Sequence, residues 1–332
     1  MKKLMLTTAL ATSLLVSVAA AEVSIKGALE VTLGSGETPA TGTKTNQGTS
    51  IGYENSIAFS GSTKLTNGME VKVTSNLEDS TISDQSIHFI SGATDFYIGA
   101  DQNGGNLDDG QTIPTVANAI EDGNKGLGVS YNMNEASIHG SDVIGLSTKT
   151  GMGTFSVAYA PKVGSAENVA DSNPAATAKG SGQAIGFNGD LGVKGLGVIA
   201  SYTTRDIGSL DAQEITMTNI GASYNFGNVT VGAMQSTTDD TNTGTTFTAG
   251  GETINTSAGI VYAASDAISI GYQMAKHEQK TSGLVDEDSQ SITVGYNLGG
   301  ATITAQYTDV ENKGGTASKD GEAFELRIKQ AY

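Results

Sequence analysis

The sequence predicts an all-β protein: a closed antiparallel transmembrane β-barrel of about sixteen strands. Three observations carry that reading. Short segments alternate apolar and polar residues with a period of two. After Ala21 no apolar run is long enough for a membrane helix. The connections alternate between long polar stretches and very short turns, as in barrels whose loops lie on one side of a membrane.

The first 21 residues are expected to lie outside the fold. Lys2 and Lys3 give a basic start, Leu4 to Val18 is mostly apolar, and Ala19-Ala20-Ala21 supplies small residues for cleavage. This pattern is a secretory signal peptide over residues 1–21, with the barrel occupying 22–332. The chain has no cysteine, so an exported domain must hold together by its backbone ladder and packing.

The formal charge is −17, and without Lys2 and Lys3 it becomes −19, 16 basic residues against 35 acidic ones. That balance excludes nucleic acid as a partner, which needs a basic surface. Glycine is abundant at 44 residues, proline occurs four times, tryptophan is absent, and arginine occurs only at Arg205 and Arg327. Such a composition suits strands and turns rather than long helices.

The strands follow in order. Val23, Ile25, Gly27, Leu29, Val31 and Leu33 make one face of the first, and Ser24, Lys26, Ala28, Glu30 and Thr32 the other. A Gly/Thr-rich loop is expected from Gly34 to Ser50. Ile57 and Phe59 precede a turn at Thr66-Asn67-Gly68, and Met69, Val71 and Val73 follow it, a strong hairpin signal. Ser83–Ser91 and Thr94–Asp101 pair around Gly92. Asp142–Thr148 and Thr154–Ala160 flank Gly151-Met152-Gly153, and a loop with Pro161 and Pro174 runs on to Gly182. Hairpins then join Gln183–Asp190 to Leu196–Arg205 and Gln213–Phe226 to Val229–Thr238. Ile254–Ala264 and Ile268–His277 turn at Asp266; an acidic loop, Asp286-Glu287-Asp288, precedes Ile292–Leu298; Thr302–Asp309 and Glu322–Tyr332 complete the set. Tyr224, Phe226, Tyr296 and Tyr332 fall near short turns, and Tyr159, Tyr202, Tyr272 and Tyr307 toward the other ends, as two interfacial girdles require.

One stretch, 101–140, reads as neither a strand nor a tight turn. A loop of that length inside a compact β structure is usually functional or disordered. It is expected to fold into the lumen and narrow it. Gly128 to Met133 resembles strand ends elsewhere; if it spans with Ser137–Gly140, the barrel has about eighteen strands instead.

Phe324, Leu326, Ile328 and the terminal Tyr332 share one face of the last strand. With the leader, the hairpin rhythm and the Tyr-Asn-Phe-Gly and Tyr-Asn-Leu-Gly pieces at Tyr224 and Tyr296, the chain resembles the Gram-negative general porins, particularly the alphaproteobacterial type. Gln330 stands where such strands usually carry an apolar residue, and the terminal residue is more often Phe. The resemblance implies a homotrimer of sixteen-stranded barrels in outer-membrane lipid, each with its third loop folded into the lumen. The third long loop here is 101–140.

Acids on that loop facing bases on the wall would set a transverse field and a charge filter. The loop acids are Asp101, Asp108, Asp109, Glu121 and Asp122; the wall bases, inward-facing by strand parity, are Lys26, Lys72, Arg205 and Arg327. The acids outnumber the bases, which predicts passive diffusion of small hydrophilic solutes and ions with a moderate preference for cations. No cofactor is expected; the candidate ion is Ca2+, held through oxygen ligands at Asp286, Glu287 and Asp288 or at Asp239-Asp240. No catalytic arrangement stands out: His88, His139 and His277 lack metal-ligand spacing, and Gly192, Gly195 and Gly197 sit in a strand-turn-strand setting. The chain is read as a non-enzyme. A substrate-selective channel with a solute track, a non-conducting surface barrel and a soluble exported β-protein stay open as alternatives.

Overall fold

The computed structural model describes residues 22–38, 40–41, 45–78, 81–102, 114, 141–162, 181–206, 214–240, 251–280 and 283–332. The leader 1–21 and the loop acids Asp108, Asp109, Glu121 and Asp122 lie outside the described residues.

Period-two segments become strands because a two-sided ribbon can turn one face to lipid and the other to water. The strands are β1 (Glu22–Thr38), β2 (Ala40–Thr41), β3 (Thr45–Lys64), β4 (Glu70–Glu78), β5 (Thr81–Ser91), β6 (Thr94–Gln102), β7 (Ser141–Lys149), β8 (Gly153–Lys162) and β9 (Gly182–Gly189). They continue as β10 (Leu196–Asp206), β11 (Glu214–Asn225), β12 (Val229–Asp240), β13 (Glu252–Ala263), β14 (Ile268–Gln279), β15 (Glu287–Asn297), β16 (Ala301–Glu311) and β17 (Lys319–Ala331). The two residues of β2 pair only with Lys319 and Asp320 of β17, so the closed antiparallel barrel has sixteen staves.

The barrel closes where β17 meets β1, from Ala28↔Ala331 to Gly36↔Ala323. Beyond that ladder the N–H of Gly27 donates to the Tyr332 carbonyl and the N–H of Tyr332 to the Gly27 carbonyl, each at 2.9 Å. The Tyr332 ring lies over Gly27, in the space a Cβ there would enter.

The eighteen-strand alternative is overturned. β6 pairs directly with β7, from Thr94↔Thr148 to Gly99↔Val143, and the ladder then runs unbroken around the barrel. No position in the sheet is left for an inserted hairpin. The Gly/Thr-rich loop expected from Gly34 to Ser50 is also corrected: β1 runs on to Thr38 and β3 begins at Thr45. Apolar alternation stops at Leu33, yet the ladder continues, because a strand projecting beyond lipid needs only backbone partners.

Outward positions carry the large apolar side chains: Ile25, Phe59, Ile185, Ile220 and Ile292 are all exposed. The aromatics expected in girdles face the same way, Tyr159, Tyr202, Tyr224, Phe226, Tyr296, Tyr307 and Tyr332 being exposed. Many inward positions carry small or polar residues, such as Ser201, Ser236, Thr293 and Thr308, while Ile199, Ile215, Met217 and Met234 are buried on the same face.

The short turns share one device. Asn225 Oδ1 accepts from the N–H of Gly227 at 2.9 Å, and Asn297 Oδ1 from that of Gly299 at 2.8 Å. The two glycines have φ of +90° and +87°. The Tyr-Asn-x-Gly pieces are therefore side-chain-closed turns in which glycine takes the left-handed backbone.

A tighter approach joins two turns. A Cβ on Gly189 would collide with the Met152 carbonyl and the Cα of Gly153, both backbone atoms, whereas nothing lies within 4 Å of one on Gly300. Gly189→Ala is expected to destabilise the barrel by about 1–3 kcal/mol, the range for overpacking. Gly300→Ala should stay within about 0.5 kcal/mol of the parent. The temperature at which heat-modifiable gel migration is lost compares the two.

Candidate functional site: the barrel lumen

The inward face of sixteen staves encloses a lumen too wide to be filled by its own side chains. Its chemistry is set by which residues alternate inward and how the register brings them together.

Strand parity places all four predicted wall bases on that face. Lys26 lies on β1 with Glu30 and Thr32, opposite in sense to the exposed Ile25 and Leu29. Lys72 on β4 stands between Ser62 and His88. Arg205 on β10 stands between Gly182 and Ile215. Arg327 on β17 lies opposite Thr32 across the closing seam.

Arg327 is not an uncompensated positive charge. Its Nε lies 3.0 Å from Glu30 Oε1 and its Nη2 2.9 Å from Glu325 Oε1. Lys329 Nζ is 3.7 Å from Glu30 Oε2. Glu325 is almost fully buried, at 2 % exposure, so a guanidinium fork able to bond carboxylates at both sides is what the site needs. The cluster holds two bases and two acids and adds little net charge to the wall.

Of the predicted loop acids, Asp101 lies within β6 rather than in a loop. Asp108, Asp109, Glu121 and Asp122 are outside the described residues, so the structure does not bring them together with the wall bases.

The proposed calcium ligands are separated by strand alternation. Glu287 and Asp288 begin β15 rather than ending a loop. Glu287 is buried on the inner face and accepts from the N–H of Gly314 at 2.6 Å, while Asp288 is exposed on the other face. Asp286 is paired with Lys276 at 2.7 Å. Among the described residues no group of three or more His, Cys, Asp or Glu is arranged to hold a metal ion. Lys313, in the turn between β16 and β17 beside Glu287, has its pKa lowered, chiefly by burial.

A polar cluster that sequence reading did not anticipate sits near the Gly92-Ala93 turn. His88 Nδ1 is 2.9 Å from Asp95 Oδ2 and its Nε2 2.8 Å from Ser86 Oγ, which in turn lies 2.5 Å from Thr74 Oγ1. Tyr97 stacks on the imidazole with ring centroids 5.6 Å apart, and glycine at 145 leaves room for that ring. A matching histidine stands at the other end of the lumen, His277, whose Nδ1 is 2.5 Å from Asn255 Oδ1.

The register links these two ends. A single inward row starts at Asp95, passes Ser147 and Ser156, crosses Gly186 and reaches Ser201. It continues through Asn219, Ser236 and Asn255 to His277 and Glu287. Asp95 adjoins a short turn and Glu287 a long connection, so the row climbs from one mouth to the other, as tilted staves require. Between Asp95 and His277 it carries no charged residue. Above and below its middle run apolar neighbours: Ile199 and Met234 on either side of Gly221, and Met217 between Thr203 and Thr238. Parity reveals which face each residue takes; the row needs the register as well.

The Gram-negative porin family model matches residues 7–315 of the chain. No curated protein matches the sequence. Among solved structures, a porin refined at 1.8 Å is similar with a TM-score of 0.67 at 13% identity, covering 94% of this chain and 100% of its own. An anion-selective porin from Comamonas acidovorans has a TM-score of 0.67 at 12% identity, with the same coverage. A loop-deletion form of OmpT, an outer membrane protein of Vibrio cholerae, has a TM-score of 0.69 at 14% identity and again covers 94% of this chain and 100% of its own. Likeness at these identities establishes the fold.

The seam cluster makes a test of lumen electrostatics. Arg327→Gln leaves Glu30 and the buried Glu325 without their shared cation and is expected to destabilise the barrel by about 3–5 kcal/mol. Arg327→Gln combined with Glu325→Gln should recover much of that loss. Urea unfolding of the single and double variants measures both.

Proposed function

Because the chain belongs to the Gram-negative porin family, we propose that it is an outer-membrane porin through which ions and small hydrophilic solutes diffuse passively, with a moderate preference for cations. Family and fold point to a channel rather than an enzyme. The observation that carries the reading is the closed sixteen-stave barrel with an apolar outer face and a polar inner one. An interior of that kind excludes lipid and admits water.

The sign of the preference rests on charge. A barrel of the same fold is anion-selective in Comamonas acidovorans, so the fold leaves the sign open. Here the chain without its leader carries 16 bases against 35 acids, and one of its two arginines, Arg327, is held by Glu30 and Glu325. In this reading the loop after β6 brings Asp108, Asp109, Glu121 and Asp122 to face Lys26, Lys72 and Arg205. Screening over about 8 Å at physiological salt keeps the resulting bias moderate. The barrels assemble as homotrimers, following the resemblance of the chain to general porins, after export with a cleaved leader.

Reconstitution in a planar bilayer tests the proposal. Openings in steps of three and a cation-favouring reversal potential across a salt gradient are expected. Asp108→Asn, Asp109→Asn, Glu121→Gln and Asp122→Asn together should move that potential toward zero with conductance retained. A folded barrel without conductance would overturn the diffusion reading, and an anion-favouring potential would overturn the charge assignment alone.

A further inference from the structure

We propose that solutes cross the lumen along one arc of its wall, formed by β1, β3 and β4, and that Glu54 and Glu78 on that arc are specificity-determining residues favouring cations. The inference rests on the porin reading and deepens it. Of the inward positions from Ser24 to Glu30 on β1, Gly52 to Ser62 on β3 and Lys72 to Glu78 on β4, none is buried, and Lys26, Glu54 and Glu78 are exposed. From β10 to β16 most of the inward face is closed to solvent: Thr203, Ser236 and Thr308 are 0 % exposed. The contrast holds for a single residue type. Ser24, Ser56 and Ser60 are half-buried, whereas Ser257 and Ser291 are each 1 % exposed.

A wall charge biases a passing ion most where it faces water. Glu287 and Glu325, on the closed part of the wall, are buried. On the open arc Glu30 is held by Arg327 and Lys329, whereas Glu54 and Glu78 are exposed and stand in no ion pair among the described residues. The two carboxylates converge on Ser56. Glu78 is its partner across the β3–β4 ladder, and Glu54 is the next inward residue on its own strand. Strand geometry sets their backbones about 5–7 Å from that of Ser56, inside the ~8 Å over which physiological salt screens a charge. Lys26 and Lys72 stand opposite Ala58 and Ser62, nearer the short turn between β3 and β4. Acid therefore outweighs base around Ser56, and a cation gains there while an anion loses. The floor of the arc is small, with Ala28, Ser56, Ala58 and Ser60 between the longer charged side chains, which leaves those side chains standing in the solute's way.

The absence of native cysteine allows a direct test on the folded barrel in liposomes. Ser56→Cys and Ser257→Cys each change one atom and place a sole thiol on the open arc or on the closed one. Heat-modifiable gel migration checks that both fold, and Ser291→Cys replaces the second if it does not. A cationic methanethiosulfonate reagent, followed by mass, is expected to modify position 56 many-fold faster than position 257. An anionic reagent should react severalfold more slowly at 56, each rate taken relative to a free thiol in solution. Glu54→Gln with Glu78→Gln should remove that difference and, in planar bilayers, move the reversal potential away from cations. Equal rates at 56 and 257, a faster reaction at 257 or no reaction at either would overturn the route. Modification at 56 that ignores the charge of the reagent would overturn the role of Glu54 and Glu78. Labelling needs no current, so absence of conductance from the parent barrel would strike the porin reading separately.

Discussion

Every backbone N–H and C=O in hydrocarbon must find a partner, and the rest of this structure follows from that requirement. An unpaired group there costs several kcal/mol, on the order of its transfer penalty. A sheet can meet the condition only by closing, which makes the seam between β1 and β17 the controlling contact. Tyr332 extends it by exchanging backbone hydrogen bonds with Gly27 and laying its ring over that glycine.

Closure separates two environments and assigns each a residue vocabulary. Large aliphatic and aromatic side chains face out, where they gain from lipid contact. Hydroxyl and amide residues predominate on the inner face, with an aliphatic and thioether group at Ile199, Ile215, Met217 and Met234. Charges on the inner face are then conspicuous, and the structure balances the strongest of them. Arg327 is shared between carboxylates from its own strand and from the strand across the seam, so closing the barrel also assembles the ion cluster. The cation preference proposed above therefore rests on the surplus of acids elsewhere rather than on loss of a basic wall.

Some departures from sequence reading have one cause. The Gly34–Ser50 stretch and Glu287-Asp288 looked like loops because apolar alternation fails there. They are strand because alternation reports what a strand faces, whereas the ladder reports only whether a neighbour is available. Outside the lipid band the first signal vanishes and the second persists. The adjacent carboxylates of β15 illustrate the consequence: neighbours in sequence, Glu287 and Asp288 point to opposite faces and cannot share an ion.

The sequence by itself determined the all-β class, the turn chemistry of the Asn-x-Gly pieces and the inward sense of Lys26, Lys72, Arg205 and Arg327. Each depends on residues a few positions apart, through the period-two geometry of a strand or the left-handed backbone of a turn glycine. Only the tertiary structure decided which inward residues meet. The seam that brings Glu30 to Arg327 joins the two ends of the chain. The row from Asp95 to Glu287 depends on the stagger of ten strands, β6 to β15, and a slip of two residues at any one of them would preserve every face while breaking the row. Local pattern encodes the face, whereas register is set by the cumulative pairing and tilt of a closed sheet.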